Sequence, residues 1–372
     1  MILQFGTSRF LQAHVDLFAW EARCSGQSVG DIVIVQVSKD AERARRLDAF
    51  SDPAGFPVIV RGLDAGLPVE RSIQVRSVTR GLAAARDWDE LRRLFIEDAG
   101  YVVSNTGDNG FAISDADRLK AQDDVAPSGY CAMLVSLLHQ RWRAGRPGVT
   151  CLPCELLASN GTVLRGIVVG LAREQGLEPA FLRWLETQCL WVNTLVDRIV
   201  SEPLAPAGAV AEPYALWAVE DQPGLRLPFT HPALVLTGDL APYERLKLHI
   251  LNLGHSWLAE AWHVAGAAPM ATVREAMETP EILAGLQDLY AQEVVAGFAA
   301  HGLEDAARAY VATTLERFAN PFLDHRLGDI FSNHAAKIDK RIARFIVWVD
   351  ASGNRLAMPR LRALAARYRD VS

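Results

Sequence analysis

The chain has 372 residues, about two to three domain lengths, with 50% of them apolar and 22% charged. That composition excludes a disordered chain, and a net charge of −6 leaves no cationic excess for a nucleic-acid backbone. No apolar run approaches the roughly 18 residues of a membrane span, the opening Met1–Gly6 has no leader pattern, and five cysteines are too few for a disulfide scaffold.

The expectation is therefore a protein of the reducing cytosol with a small-molecule partner, without nucleic acid or membrane, its oligomeric state open. In the first 160 residues, short Val/Ile-rich runs alternate with stretches of helical period. The runs are Ile2–Phe5, Asp31–Val37, Phe56–Arg61, Ser72–Val78, Tyr101–Ser104 and Gly148–Cys154. The helical stretches are Phe10–Ala22, Ala41–Phe50, Trp88–Ile96 and Gly129–Ala144. This alternation predicts a mostly parallel sheet with helices on its faces. Pro57–Arg80 breaks it and reads as a hairpin added to that sheet. After Gly161 helices take over: Thr162–Gln175, Glu178–Thr187, Pro242–Ala265, Val273–Met277, Pro280–Ala300, Leu303–Arg317 and His334–Asp350. Pro203–Pro213 and Pro223–Pro232 read as loops by composition. The expected fold is α/β: a Rossmann-like N-terminal domain with added strands over 1–235, then an all-helical C-terminal domain over 236–372.

Four stretches carry chemistry. The first is strand, Gly6-Thr7-Ser8-Arg9, helix. A glycine there permits a tight turn, and the following helix aims free N–H groups at a phosphate. The full Gly-rich fingerprint is absent, since Ser8 and Leu11 hold its second and third glycine positions. At the end of the second strand stand Gln36-Val37-Ser38-Lys39-Asp40. An acid here selects NAD, whereas Ser38 and Lys39 suit a 2′-phosphate, so the choice between NAD and NADP stays open. Cys151 and Cys154 have redox or zinc spacing but no second pair, and read as buried strand-end thiols. The fourth stretch is Lys247-x4-Asn252-x2-His255. At helical geometry Asn252 lies about 140° and His255 about 80° from Lys247. All three fit one broad helix side, where Leu248, Leu251 and Leu258 also fall. Polar groups on a buried side need partners or a ligand.

These residues resemble the polyol-specific long-chain dehydrogenases, which include mannitol dehydrogenase, mannonate oxidoreductase and tagaturonate reductase. The resemblance begins at Gly6–His14 and continues through Ser104-Asn105-Thr106, Cys154-Glu155-Leu156, Asn160-Gly161, Asn193 and Val196-Asp197-Arg198-Ile199. It ends with Glu220-Asp221, Lys247, Asn252, His255, Arg317-Phe318 and Asn320-Pro321. Leu152–Leu156, Leu195–Val200, Pro242–Arg245 and Asn320-Pro-Phe with His325 look like the tagaturonate reductase (altronate oxidoreductase) branch. The resemblance implies hydride transfer between a nicotinamide cofactor and a secondary alcohol or ketone, without a metal. NAD is the implied cofactor, with NADP not excluded. A sugar acid of the altronate type is the implied substrate, with a neutral polyol as the alternative. It implies Lys247 as general acid/base, Asn193 and Asn252 as donors to the alkoxide, and His255 on a substrate hydroxyl. Cofactor contacts would fall to Gly6, Thr7, Ser8, Arg9, Phe10, Ser38, Lys39 and Asn105. Arg317, Asn320 and His325 would grip the far end of the substrate. A binding-only regulator would not need Lys247, and a zinc enzyme would need a ligand set that the chain does not offer.

Overall fold

In a computed structural model of the chain, every residue is described except 39, 41–43, 45, 108–109, 120–122, 267–270, 355 and 370–372. The strands of the first half are β1 (Ile2–Phe5), β2 (Ile32–Gln36), β3 (Phe56–Asp64), β4 (Leu67–Val75), β5 (Val78–Ala83), β6 (Tyr101–Ser104) and β7 (Thr150–Pro153). After them come β8 (Leu190–Trp191), β9 (Thr194–Asp197), β10 (Val200–Pro203), β11 (Ala209–Ala211), β12 (Leu216–Glu220) and β13 (Leu234–Thr237). Six of them form one sheet in the order β5-β2-β1-β6-β7-β8, and every pairing in it is parallel.

This sheet is the doubly covered kind, and the sequence shows why. Its central strands are apolar at nearly every position, as a strand buried on both faces requires. Side chains alternate between faces. Leu3, Phe5, Val33, Val35 and Val102 join the core made with helices Trp88–Glu97 and Tyr130–Arg143. Ile2, Ile32, Ile34 and Val103 join a second core with the helix over 9–24, together with Phe56, Val58 and Trp217.

The hairpin β3–β4 is not an addition to the parallel sheet. It sits in a separate four-stranded sheet, β10-β11-β3-β4, and only β5 returns to the main one. The region after Gly161 also holds more strand than its helical period suggests. Helices Asn160–Glu174 and Pro179–Thr187 are followed by six short strands. Pro203–Pro213 contains β11, which pairs in parallel with β3, and β9, β12 and β13 make a third sheet. Strands of two to five residues are too short to show a period.

Two units divide the chain. The first is Met1–Val60, Arg71–Ala211 and Ala215–Leu240; the second is Arg61–Glu70, Glu212–Tyr214 and Ala241–Ser372. The division thus falls after Leu240 rather than at 235, and the hairpin tip and a three-residue segment go with the second unit. From Ala241 onward the regular elements are helices. They bury one core that includes Leu246, Ile250, Leu258, Tyr290, Phe298, Phe318 and Phe345. Three of the helices contain a π turn, at Lys247–Asn252, Tyr290–Val294 and Asp339–Ala343. Such turns are rare and gather at functional sites. Among the described residues, no helix is long and apolar enough to cross a membrane.

Candidate active site

In the first unit, a cleft of about 500 Å³ opens at the carboxyl ends of β1, β2 and β6. Gly6, Thr7, Ser8, Arg9, Gln36, Ser38, Arg46, Asn105 and Thr106 are among its walls. Gly6 has φ +115°, and a Cβ there would overlap the carbonyl oxygen of Asn105. Only glycine fits, which brings bare backbone to the cleft wall. Ser8 caps the following helix, its Oγ accepting from Leu11 N at 3.2 Å. This strand–turn–helix corner is the place where a parallel sheet receives a dinucleotide.

Arg9 faces the cleft, but much of its guanidinium is already engaged. It donates to the carbonyls of Gly208 and Pro206, both at 3.0 Å, and to Gln12 Oε1 at 3.2 Å. Burial, then the charge of Arg46, lowers its pKa. Phe10 is not a wall of the cleft; it stacks on His14 with centroids 4.7 Å apart. Ser38 is a wall, and Lys39 lies outside the described residues. Gln36 ends β2 and donates to the carbonyls of Ser38 and Asp40, both at 2.7 Å. The cleft wall also holds Arg46. Its guanidinium makes no hydrogen bond or ion pair among the described residues, and no pattern around it in the sequence marks it out.

A smaller cavity of about 230 Å³ shares Asn105 and Gly107 with this cleft and adds Phe111, Glu155, Leu156 and Leu157. Glu155 accepts from Ser104 Oγ at 2.9 Å, Thr106 N at 3.1 Å and Thr106 Oγ1 at 3.0 Å. Burial pushes its carboxyl up against the pull of these bonds. Asn193, just before β9, is held by both ends of its amide. Oδ1 accepts from Thr162 N at 2.9 Å, and Nδ2 donates to Glu220 Oε2 at 2.7 Å and Thr162 Oγ1 at 3.2 Å. Cys151 and Cys154 are fully buried, and burial pushes both thiols up.

In the second unit, Lys247 and Asn252 open and close one π turn, and His255 follows on helix Leu253–Val264. A π turn bonds residue i to i+5. It therefore brings Asn252 closer in angle to Lys247 than α-helical spacing implies. Two neighbours support the turn. Tyr290 Oη donates to the Ile250 carbonyl at 2.9 Å, and the same hydroxyl fills the space where a Cβ on Gly254 would stand. His255 is 6% exposed, and its Nε2 has no hydrogen-bond partner among the described residues. Its ring lies 4.5 Å from that of Phe318 and 4.8 Å from that of His325. Burial, then the positive charge of His325, Arg341, Arg317 and Lys337, takes its pKa far below the usual imidazole range. It is neutral at pH 7.

Of the three residues expected at the far end of the substrate, His325 lies against His255, and the charge of Arg317 also bears on His255. Arg317 forms a bidentate pair with Glu212, Nε to Oε2 at 3.0 Å and Nη2 to Oε1 at 2.8 Å. Its guanidinium also lies 4.4 Å over the Tyr214 ring. Asn320 is a turn residue: Oδ1 accepts from Phe322 N at 3.0 Å, and Nδ2 faces the Arg61 carbonyl at 3.5 Å.

Residues 1–228 match the model of the mannitol dehydrogenase Rossmann domain, and residues 239–370 match that of the mannitol dehydrogenase C-terminal domain. The chain belongs to the mannitol dehydrogenase family. It is an oxidoreductase of that family. An altronate oxidoreductase of Bacillus subtilis is 29% identical over 91% of this chain and 73% of its own length. Among solved structures, a D-sorbitol dehydrogenase superposes with a TM-score of 0.77 at 21% identity, over 93% of this chain and 75% of the other. A mannitol 2-dehydrogenase of Pseudomonas fluorescens, solved with NAD and D-mannitol, superposes with a TM-score of 0.72 at 21% identity, over 99% and 78%. These two likenesses show the fold: a Rossmann-like sheet with extra strands and a helical C-terminal region.

Proposed function

We propose that this family member transfers hydride between NAD and a secondary alcohol of a sugar acid of the altronate type, with Lys247 as general acid/base. The observation that supports the proposal is the π turn spanning Lys247 to Asn252, three residues before the buried, neutral His255. The relatedness to altronate oxidoreductases supports the choice of substrate. The Gly6 corner and the cleft walls fit a dinucleotide. When bound there, NAD supplies the hydride acceptor.

The chain's own residues do the rest. Lys247 takes the hydroxyl proton as the carbonyl forms and returns it in the reverse direction. Asn252 donates a hydrogen bond to the oxygen as it gains charge, the role of an oxyanion donor. Asn193, in the first unit, is fixed by Thr162 and Glu220. His255, kept neutral by its surroundings, offers Nε2 to an adjacent hydroxyl. No metal takes part in this scheme. The test is kcat/KM with NAD for altronate and for mannitol, each with and without chelator. The proposal expects altronate to be preferred and chelator to have no effect. A higher value for mannitol overturns the substrate, and a chelator-sensitive rate restored by zinc overturns the lysine mechanism.

A further inference from the structure

The second unit holds a cation that the hydride-transfer chemistry leaves unused. Arg341 lies in the π turn Asp339–Ala343, which is clasped to the turn carrying Lys247 and Asn252. His249 Nδ1 donates to the Arg341 carbonyl at 2.9 Å. Arg341 Nη1 donates in return to the Asn252 carbonyl at 3.2 Å and to Ser256 Oγ at 2.9 Å. The guanidinium is partly withdrawn from water, and burial lowers its pKa. Yet no carboxylate among the described residues pairs with it. Arg317, in the same unit, has Glu212 for that purpose. A shielded cation whose partners are a carbonyl and a hydroxyl is expensive unless an anion arrives to match it.

Three further observations point the same way. Nε and Nη2 of Arg341 make no hydrogen bond with the described residues, which leaves one edge of its planar fork available. Lys337, four residues earlier, donates from Nζ to the Ile330 carbonyl at 2.7 Å and has no acidic partner among the described residues. His255 Nε2 and His325 Nδ1 are buried without partners among the described residues, and the charged neighbours that bear most on His255 are all basic. Two acids lie near this group: Asp329, which acts on His325 and is exposed, and Glu260, which is taken up by His334, Arg367 and Tyr368.

We propose that Arg341, flanked by Lys337 and His325, seats the carboxylate of the substrate. A carboxylate accepts two parallel N–H bonds from a guanidinium edge, a match that a neutral CH2OH cannot reproduce. The clasp to the Asn252 carbonyl ties this seat to the residue assigned to the reacting oxygen. Arg341 is thus a specificity residue, and its assignment rests on the sugar-acid reading above.

The test compares wild type, Arg341→Met and Arg341→Lys on altronate and on the corresponding neutral alditol, which carries CH2OH in place of the carboxylate. Arg341→Met should lose about 100-fold in kcat/KM on altronate, mostly through KM, and less than about tenfold on the alditol. Arg341→Lys keeps the charge without the fork, so it should recover part of the altronate loss; it also serves if the Met variant does not fold. Equal losses on both substrates would make Arg341 a structural clasp and overturn the proposal. So would an unchanged KM for altronate. A wild type that prefers the alditol would instead bring down the sugar-acid reading itself, and this seat with it.

Discussion

Arg317 and Glu212 form the ion pair whose removal separates a structural arginine from a substrate-binding one. Both side chains are nearly inaccessible, with Arg317 4% and Glu212 3% exposed. Glu212 satisfies the guanidinium with two parallel bonds of 2.8 and 3.0 Å, and Tyr214 covers its face. Glu212→Gln would leave a buried positive charge with one weakened acceptor. Breaking such a pair from one side costs about 3–5 kcal/mol. In a unit of roughly 150 residues that corresponds to a melting shift of about 6–20 °C. Replacing both partners with apolar residues of similar volume removes the charge and the need for it together, and is often neutral. The double variant Glu212→Leu, Arg317→Met should therefore recover most of the loss. The assay is urea unfolding followed by tryptophan fluorescence, with KM for altronate measured on each folded variant. A Glu212→Gln variant that loses under about 1 kcal/mol and binds altronate more tightly would refute the structural assignment. It would show that Glu212 had merely been masking a substrate cation.

Lys247→Ala should keep NAD binding and lose about 10²–10⁴ in turnover; near wild-type kcat, measured by NADH absorbance, would remove Lys247 from the mechanism. Ser38, just past β2, and Arg46 both line the cleft. Arg46→Ala should lower kcat/KM for NADP by about tenfold and for NAD by under about threefold, the scale of one charge-assisted bond to a 2′-phosphate. Equal effects on the two cofactors would place Arg46 elsewhere. Burial depresses His14 to about 3 and His249 to about 4 in the folded chain. Below pH 6.5 the unfolded chain takes protons that these imidazoles refuse. Their stabilising contribution is thus complete above about 6.5 and falls as pH drops toward 4, by up to roughly 1.4 kcal/mol per unit for each. Urea midpoints at pH 7.5, 6.5 and 5.5 should decline, and His249→Asn should flatten the slope; a pH-independent midpoint would contradict the burial argument.

The parallel sheet was legible because its information is local. Ile32–Gln36 reads IVIVQ, and a run so uniformly apolar has few homes other than a strand covered on both faces. The helices over 130–143 and 304–318 carry their own period in the same way. The strands between Leu190 and Thr237 carry none. Ala209–Ala211 is a strand because Val58–Val60 lies alongside it, about 150 residues away in sequence. Proline and glycine around it suggest a loop to any local reading. The hairpin failed for the same reason. The lack of a helix within Pro57–Arg80 announced strands, while the sheet they join includes β10 and β11 from far along the chain.

At the site, residue types were legible and their states were not. Lys247, Asn252 and His255 stood out as polar residues on one broad helix side and through the family resemblance, and a π turn spans the first two. The cations followed another logic. Arg317 and Arg341 look alike in sequence: each sits in a helical stretch with apolar neighbours. What distinguishes them is a counter-charge, and the counter-charge for Arg317 comes from Glu212, in the three-residue segment Glu212–Tyr214 that packs with the second unit. Nothing near Arg317 foretells that segment. Arg341 receives no such visitor among the described residues, and its neighbours Lys337, His325 and His255 add basic groups rather than an acid. Arg317, prominent in the sequence, is thus held by Glu212, while Arg341, unremarkable there, has no carboxylate partner among the described residues.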